Sequence, residues 1–455
     1  MHGAALARRL VEALSAARDI AGLRARLSGQ AGNALFSTLD QAAVSGFNFL
    51  TGIIVARTVD IGSFGRFALV MIAVTLAQSV HNALITAPMM TIVGRRQGQS
   101  RSYFASLLVY AALLSVGGGM LVAAFIGGLF AARGDAAPPE FIAAAGCVAA
   151  AQNMQFTLRR LLFARTAGAA ALRMDLGRAG LFVVTAAAWR YGRGTTTVEE
   201  LLWILAATAA VTSLPALRPY LRFAKRGLHL GTVTRRHGPL SRWLLPVVVL
   251  TFGQEQAVWI IAGVMLGDAS MGGLRASQYL VGLVLLFLSS TENVIPVAAA
   301  RALTGGGERG LHRYLGSVAV AIGLPIAGVT LAMAAGAPLL LRLVFGTAYD
   351  PYAGCLRVLA CTVLLVLLRD LIAHRFRAME RTGVIFGAFA FSLAVSLALA
   401  YPLLTRWGLV GAALLILCGH MASLAYLACN VATERRSGRW AYPPGTSRSV
   451  AAGRK

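Results

Sequence analysis

Acidic residues are scarce in this chain and lysine is nearly missing. Only 17 of 455 residues are Asp or Glu, and charged residues of both signs reach 13%. Ordinary soluble domains carry about 25% charge, so that class is excluded. Nucleotide-driven chemistry has no footing either: there is no GxxxxGK[ST], and Thr304–Gly310 (TGGGERG) lacks the lysine and a preceding strand. HExxH and CxxC are absent. The five cysteines (Cys147, Cys355, Cys361, Cys418, Cys429) lie scattered in apolar segments, read as small buried hydrophobes and not as a disulfide framework. Residues 1–32 lack the uninterrupted apolar region of a cleavable signal. No metal, cofactor or enzyme is expected.

What is present is apolar length. Hydrophobic residues make up 57% of the chain and the mean hydropathy is +0.70. Twelve mostly apolar stretches, each about 20 residues or longer, fall near 34–56, 67–93, 103–130, 140–163, 171–191, 199–217, 243–266, 276–298, 314–338, 352–373, 383–404 and 408–430. Of the 42 Lys and Arg, 33 lie in the two tails and in or near alternate connections, leaving 9 toward the other side. Such asymmetry marks the cytoplasmic face, so both termini are expected there. The net charge of +25 is spread over many short connections, which suits anionic headgroups and not nucleic acid.

The longest basic connection, 218–242, separates two sets of six spans. The expected organisation is therefore a basic amphipathic segment over 1–32, a first lobe over 33–217, the linker, a second lobe over 243–430 and a basic tail over 431–455. An even number of spans per half makes any repeat parallel. Weak internal similarity fits: Arg159–Gly168 (RRLLFARTAG) matches His374–Gly383 (HRFRAMERTG), and Val59–Ala68 (VDIGSFGRFA) matches Gly267–Ala276 (GDASMGGLRA).

Polar residues at membrane depth must face protein, water or a ligand. Asp40 and Asn48 share a face of the first span; His81 and Asn82 mark the second, Gln152 and Asn153 the fourth. Isolated carboxylates at Asp40 and Glu255, each in the first helix of its half, suggest ion coupling or counter-charges for arginines. Arg159, Arg160, Arg369 and Arg375 stand at basic helix ends, where Arg could grip an anion or simply snorkel to headgroups. Arg369 and Asp370 could also neutralise one another.

The runs Asp40–Val70 and Gln78–Arg96, with Phe156–Arg165 and Pro338–Ala360, resemble the bacterial polysaccharide transporters of the multidrug/oligosaccharidyl-lipid/polysaccharide exporter superfamily. This resemblance implies an all-α polytopic membrane protein with two pseudo-symmetric six-helix lobes around a central cavity. It also implies flipping of an undecaprenyl-diphosphate-linked oligosaccharide to the periplasmic leaflet of the inner membrane, by alternating access. The four arginines would meet the diphosphate, and Asn48, His81, Asn82, Gln152 and Asn153 the sugars. A polysaccharide polymerase of the same pathway is an implied partner. Open alternatives are a cation-coupled multidrug exporter, a lipid II flippase, or a membrane polymerase or ligase.

Overall fold

The computed structural model describes residues 30–95, 101–224, 228–291 and 295–437, and all the regular structure among them is helical. The amphipathic segment expected over 1–32 and the tail beyond 437 thus lie almost wholly outside the described residues. Helix α1 spans Gln30–Thr58 and α2 spans Ile61–His81. Asp60 caps α2: its Oδ1 accepts the Ser63 amide at 3.0 Å. Hydrogen bonding from Ser63 holds the Asp60 carboxyl below its ordinary range. A π-helical turn, Asn82–Thr86, then leads into α3, Ala87–Arg95. Next come α4 (Arg101–Ala132), α5 (Pro139–Ala164), α6 (Gly168–Arg193) and α7 (Val198–Ala224). A reciprocal capping box opens α7, with Thr197 and Glu200 each accepting the other's amide, at 3.4 and 3.0 Å.

The second half holds α8 (Leu230–Thr291), α9 (Ile295–Ala335), the short α10 (Ala337–Phe345), α11 (Ala353–Ala378) and α12 (Thr382–Ser437). Three of these break at glycines with positive φ: Gly267, Gly307 and Gly408. At Gly267 (φ 80°, ψ 176°) the chain takes a conformation only glycine adopts cheaply, and α8 becomes two helices. With these breaks, twelve helices among the described residues are long enough to span a bilayer. Eight continuous segments also pass a length-and-apolarity criterion. Absent from those eight are α6 and α11, which carry Asp175 and Arg178, and Arg369, Asp370 and Arg375. Both of these less apolar helices carry interior charge.

The repeat is visible in helix ends. The starts of α5 and α11, Pro139 and Ala353, are 214 residues apart, as are their ends, Ala164 and Ala378. Each is followed at that same spacing by a non-glycine residue with positive φ, Thr166 (55°) and Glu380 (60°). This register differs by one from that of the paired Gly168 and Gly383, because identical residues need not hold identical helix positions.

Two compact units form, one of 1–50, 74–128 and 136–245, the other of 51–73, 129–135 and 246–455. The first takes in the start of α8. There His237 is buried, its Nδ1 3.1 Å from the Leu84 carbonyl in the π-helical turn and its Nε2 3.0 Å from the Tyr103 hydroxyl. A neutral Nδ1–H tautomer satisfies both. Burial pushes the His237 pKa down.

The second unit contains a close crossing of helices from both halves of the chain. A Cβ on Gly65 would overlap the Asp268 carbonyl, and one on Gly272 would overlap the Ile61 carbonyl. Gly65–Gly272 and Ile61–Asp268 are each 207 residues apart, so the contact is reciprocal, as at a two-fold axis. Leucine-sized side chains would hold these backbones apart.

Candidate functional site

In the first unit, the interior charge gathers around Arg159, five residues before the end of α5. Its Nη2 lies 2.5 Å and its Nε 2.6 Å from Oδ2 of Asp40 on α1, while Nε is 3.0 Å from Oδ2 of Asp175 on α6. One guanidinium therefore serves two carboxylates, and Nη1 has no partner among the described residues. Asp40 is fully buried, Asp175 is 9% exposed and Arg159 13%. Gln155 Nε2 donates to the other Asp175 oxygen at 3.2 Å.

Several polar atoms here are buried with no hydrogen bond: Asp40 Oδ1, Asp175 Oδ2, Gln155 Oε1, Arg178 Nε, His81 Nδ1 and both amide atoms of Asn153. The Asp175 contact with Arg159 is thus an ion pair by distance but poorly directed as a hydrogen bond. His81 Nε2 meets the Thr157 hydroxyl at 2.6 Å. Such unsatisfied groups usually mean space for water or ligand atoms.

The expected residues do not all join this cluster. Arg160 is exposed, with its guanidinium 5.1 Å from the Phe156 ring centroid and no carboxylate in ion-pair range among the described residues. Asn48 is exposed and Gln152 half-buried. Asn82 accepts a hydrogen bond from Thr86 inside the π-helical turn.

Arg369 and Glu255 line a separate cavity of about 430 Å³ inside the second unit, with Asp370, His420, Gln278 and Trp259. Arg369 pairs with its neighbour Asp370 at 2.7 Å and reaches His420 Nδ1 at 3.4 Å. Glu255 makes no ion pair among the described residues. Arg375 lies elsewhere, 5% exposed, gripped by Glu308 and Glu434 at 2.8 Å each. Arg381 also binds Glu434. At the opposite end of this unit Asp268 takes Arg66 at 2.8 Å and Arg133 at 2.7 Å. Arg57 donates to the Leu343 and Val344 carbonyls at the C-terminus of α10.

Sequence reasoning passed over Asp175, Asp268, Glu308, Glu434 and His420. Asp175 had a signal: a carboxylate between Arg173 and Arg178 within an apolar span. The two glutamates had none, since both lie at helix ends, where charge is unremarked.

No protein-family model and no curated protein matches the sequence. Solved structures do match in fold. A multidrug resistance MATE family transporter of the MOP superfamily, inward-facing, aligns at TM-score 0.62 and 17% identity over 89% of this chain and 99% of that one. Lipid II flippase MurJ in an inward closed conformation aligns at 0.64 and 11%, covering 88% and 87%. A MOP superfamily transporter from Pyrococcus furiosus aligns at 0.55 and 16%, covering 89% and 94%. The chain has the fold of these membrane transporters.

Proposed function

We propose that the protein is a flippase that carries an undecaprenyl-diphosphate-linked oligosaccharide from the cytoplasmic to the periplasmic leaflet of a bacterial inner membrane. Both termini are cytoplasmic in this reading, which follows the 33-to-9 distribution of basic residues. The observation that carries it is the end of α5. Among the described residues, Arg159 keeps Nη1 without a partner while two carboxylates fix its other nitrogens, and Arg160 beside it is exposed with no ion pair. A held, forked cation next to a free one suits a diphosphate leaving the headgroup layer. The polar atoms of His81, Gln152 and Asn153 could give hydrogen bonds to sugars, and the prenyl tail stays in lipid. Arg375 plays a supporting part, because its two glutamates already saturate its charge. Polymerisation of the flipped unit falls to a partner enzyme.

The likeness to multidrug exporters and the unsatisfied Asp40 Oδ1 support a second reading, cation-coupled drug export. Depletion separates the two. A flippase leaves lipid-linked repeat units accumulating on the cytoplasmic leaflet, read with a membrane-impermeant label. Lost drug resistance with no such accumulation would reject the flippase in favour of the exporter.

A further inference from the structure

We infer that anion binding at Arg159 is coupled to proton uptake by the Asp40–Asp175 pair. This rests on the reading above, in which Arg159 meets a diphosphate. Both carboxylates lean on the same Nε, so they are neighbours, and each has one oxygen buried without a hydrogen bond. Among the described residues, Arg159 is the cation in ion-pair contact with both. A diphosphate that recruits this guanidinium weakens its hold on both carboxylates and adds negative charge beside them. Two adjacent, dehydrated carboxylates do not both stay ionised without a cation. One therefore takes up a proton from hydronium or buffer acid in the surrounding solution, forming an O–H bond at a carboxylate oxygen without a hydrogen-bond partner.

Two further arginines act on the pair from beyond contact, Arg178 on Asp175 and Arg160 on Asp40, but neither makes an ion pair with it among the described residues. On α5, Arg160 lies against Phe156. Arg178 on α6 is stacked 5.0 Å from the Phe47 centroid, with no carboxylate in ion-pair range and Nε unsatisfied. His81 on α2 is committed to Thr157. On α7 the described acidic residues, Glu199 and Glu200, lie in its first turn at the far end from Arg159. The device also makes bound cargo and bound proton accompany each other, which gives the pH of each compartment a hold on loading and release.

The test uses the full chain in lipid nanodiscs and farnesyl diphosphate as probe, titrated calorimetrically at several pH values in buffers of different ionisation heat. In the wild type, affinity should fall by up to about tenfold per pH unit beyond the ligand's own titration, with matching proton uptake. Asp175→Asn and Asp40→Asn, the second guarding against misfolding of the first, should bind with only the ligand's pH dependence. Arg159→Lys should bind at least about tenfold more weakly, having lost the fork. Identical pH dependence in the wild type and both Asn variants would overturn the coupling, while weakened binding in Arg159→Lys would still uphold diphosphate capture. Undiminished binding in Arg159→Lys, or no binding to the wild type, would overturn both.

Discussion

Two arginines near equivalent ends of α5 and α11 each sit between two carboxylates, yet their surroundings differ. Arg159 holds Asp40 and Asp175, which are 0% and 9% exposed and belong to membrane-depth stretches. Arg375 is itself the more buried cation, at 5%, but Glu308 is 20% exposed and Glu434 has a second partner in Arg381. Glu308 follows the break at Gly307, and Glu434 lies in the last turn of α12. The Arg375 cluster can therefore be relieved by water and a spare arginine. The Arg159 cluster has no second arginine in ion-pair contact with its carboxylates among the described residues. The same one-to-two stoichiometry is met by partly exposed partners in one place and by dehydrated ones in the other.

Removing the central cation should break that comparison most sharply. Arg159→Met leaves two dehydrated carboxylates and is expected to cost about 3–5 kcal/mol. Arg375→Met should cost about half as much, because Glu434 keeps Arg381 and Glu308 reaches solvent. Thermal unfolding in detergent compares them, and equal losses would mean solvent access is not what separates the clusters. Next in size is the glycine crossing of the second unit. Gly65→Leu and Gly272→Leu should each destabilise by about 1–3 kcal/mol or more, and by similar amounts because each glycine meets the other helix's backbone. Gly282→Leu, with no atom near its Cβ site, serves as the neutral control in the same melt.

A smaller effect is expected at Asp268, whose partners invert the pattern: one carboxylate between two arginines. In Asp268→Asn, Arg66 (39% exposed) stays hydrated while Arg133 (7%) loses its counter-charge and keeps the Gly263 carbonyl, for a loss of about 1–3 kcal/mol. Adding Arg133→Met should recover much of it, which a double-mutant cycle would show. The smallest effect concerns His237. Its folded pKa lies below the unfolded value near 6.5, so the unfolded chain binds more protons. Its contribution is complete above that value and is lost as pH falls from 6.5 toward the depressed folded pKa. The melting temperature should therefore drop between about pH 7.5 and 5.5 by more in the wild type than in His237→Gln, about 1 kcal/mol at most.

Much of this architecture is legible in the residues. Twelve apolar stretches yield twelve long helices, and the similarity of Arg159–Gly168 to His374–Gly383 reflects equal helices with matching ends. A helix closes its own backbone hydrogen bonds, so apolar length is enough to announce it. Break positions were legible only in part: the gap between 404 and 408 anticipates Gly408, but the one-residue shift of the repeat does not emerge from matching letters. For the charges, Arg369 and Asp370 meet because they are adjacent in sequence. Asp40 and Arg159 are 119 positions apart and Arg66 and Asp268 are 202, so no local pattern joins them.

By itself, then, the sequence determined the helices, their number and the expected side of the basic connections, because burial of apolar length and the positions of arginines depend on neighbours along the chain. Only the tertiary structure decided which charges spend themselves on one another. Asp40, which the sequence offers as an isolated carboxylate, proves to share a cation with Asp175. Arg375, offered beside Arg159 as an anion ligand, proves to be filled. Pairing energy falls steeply with distance and burial, and both are set by helices that pack from far apart in the chain.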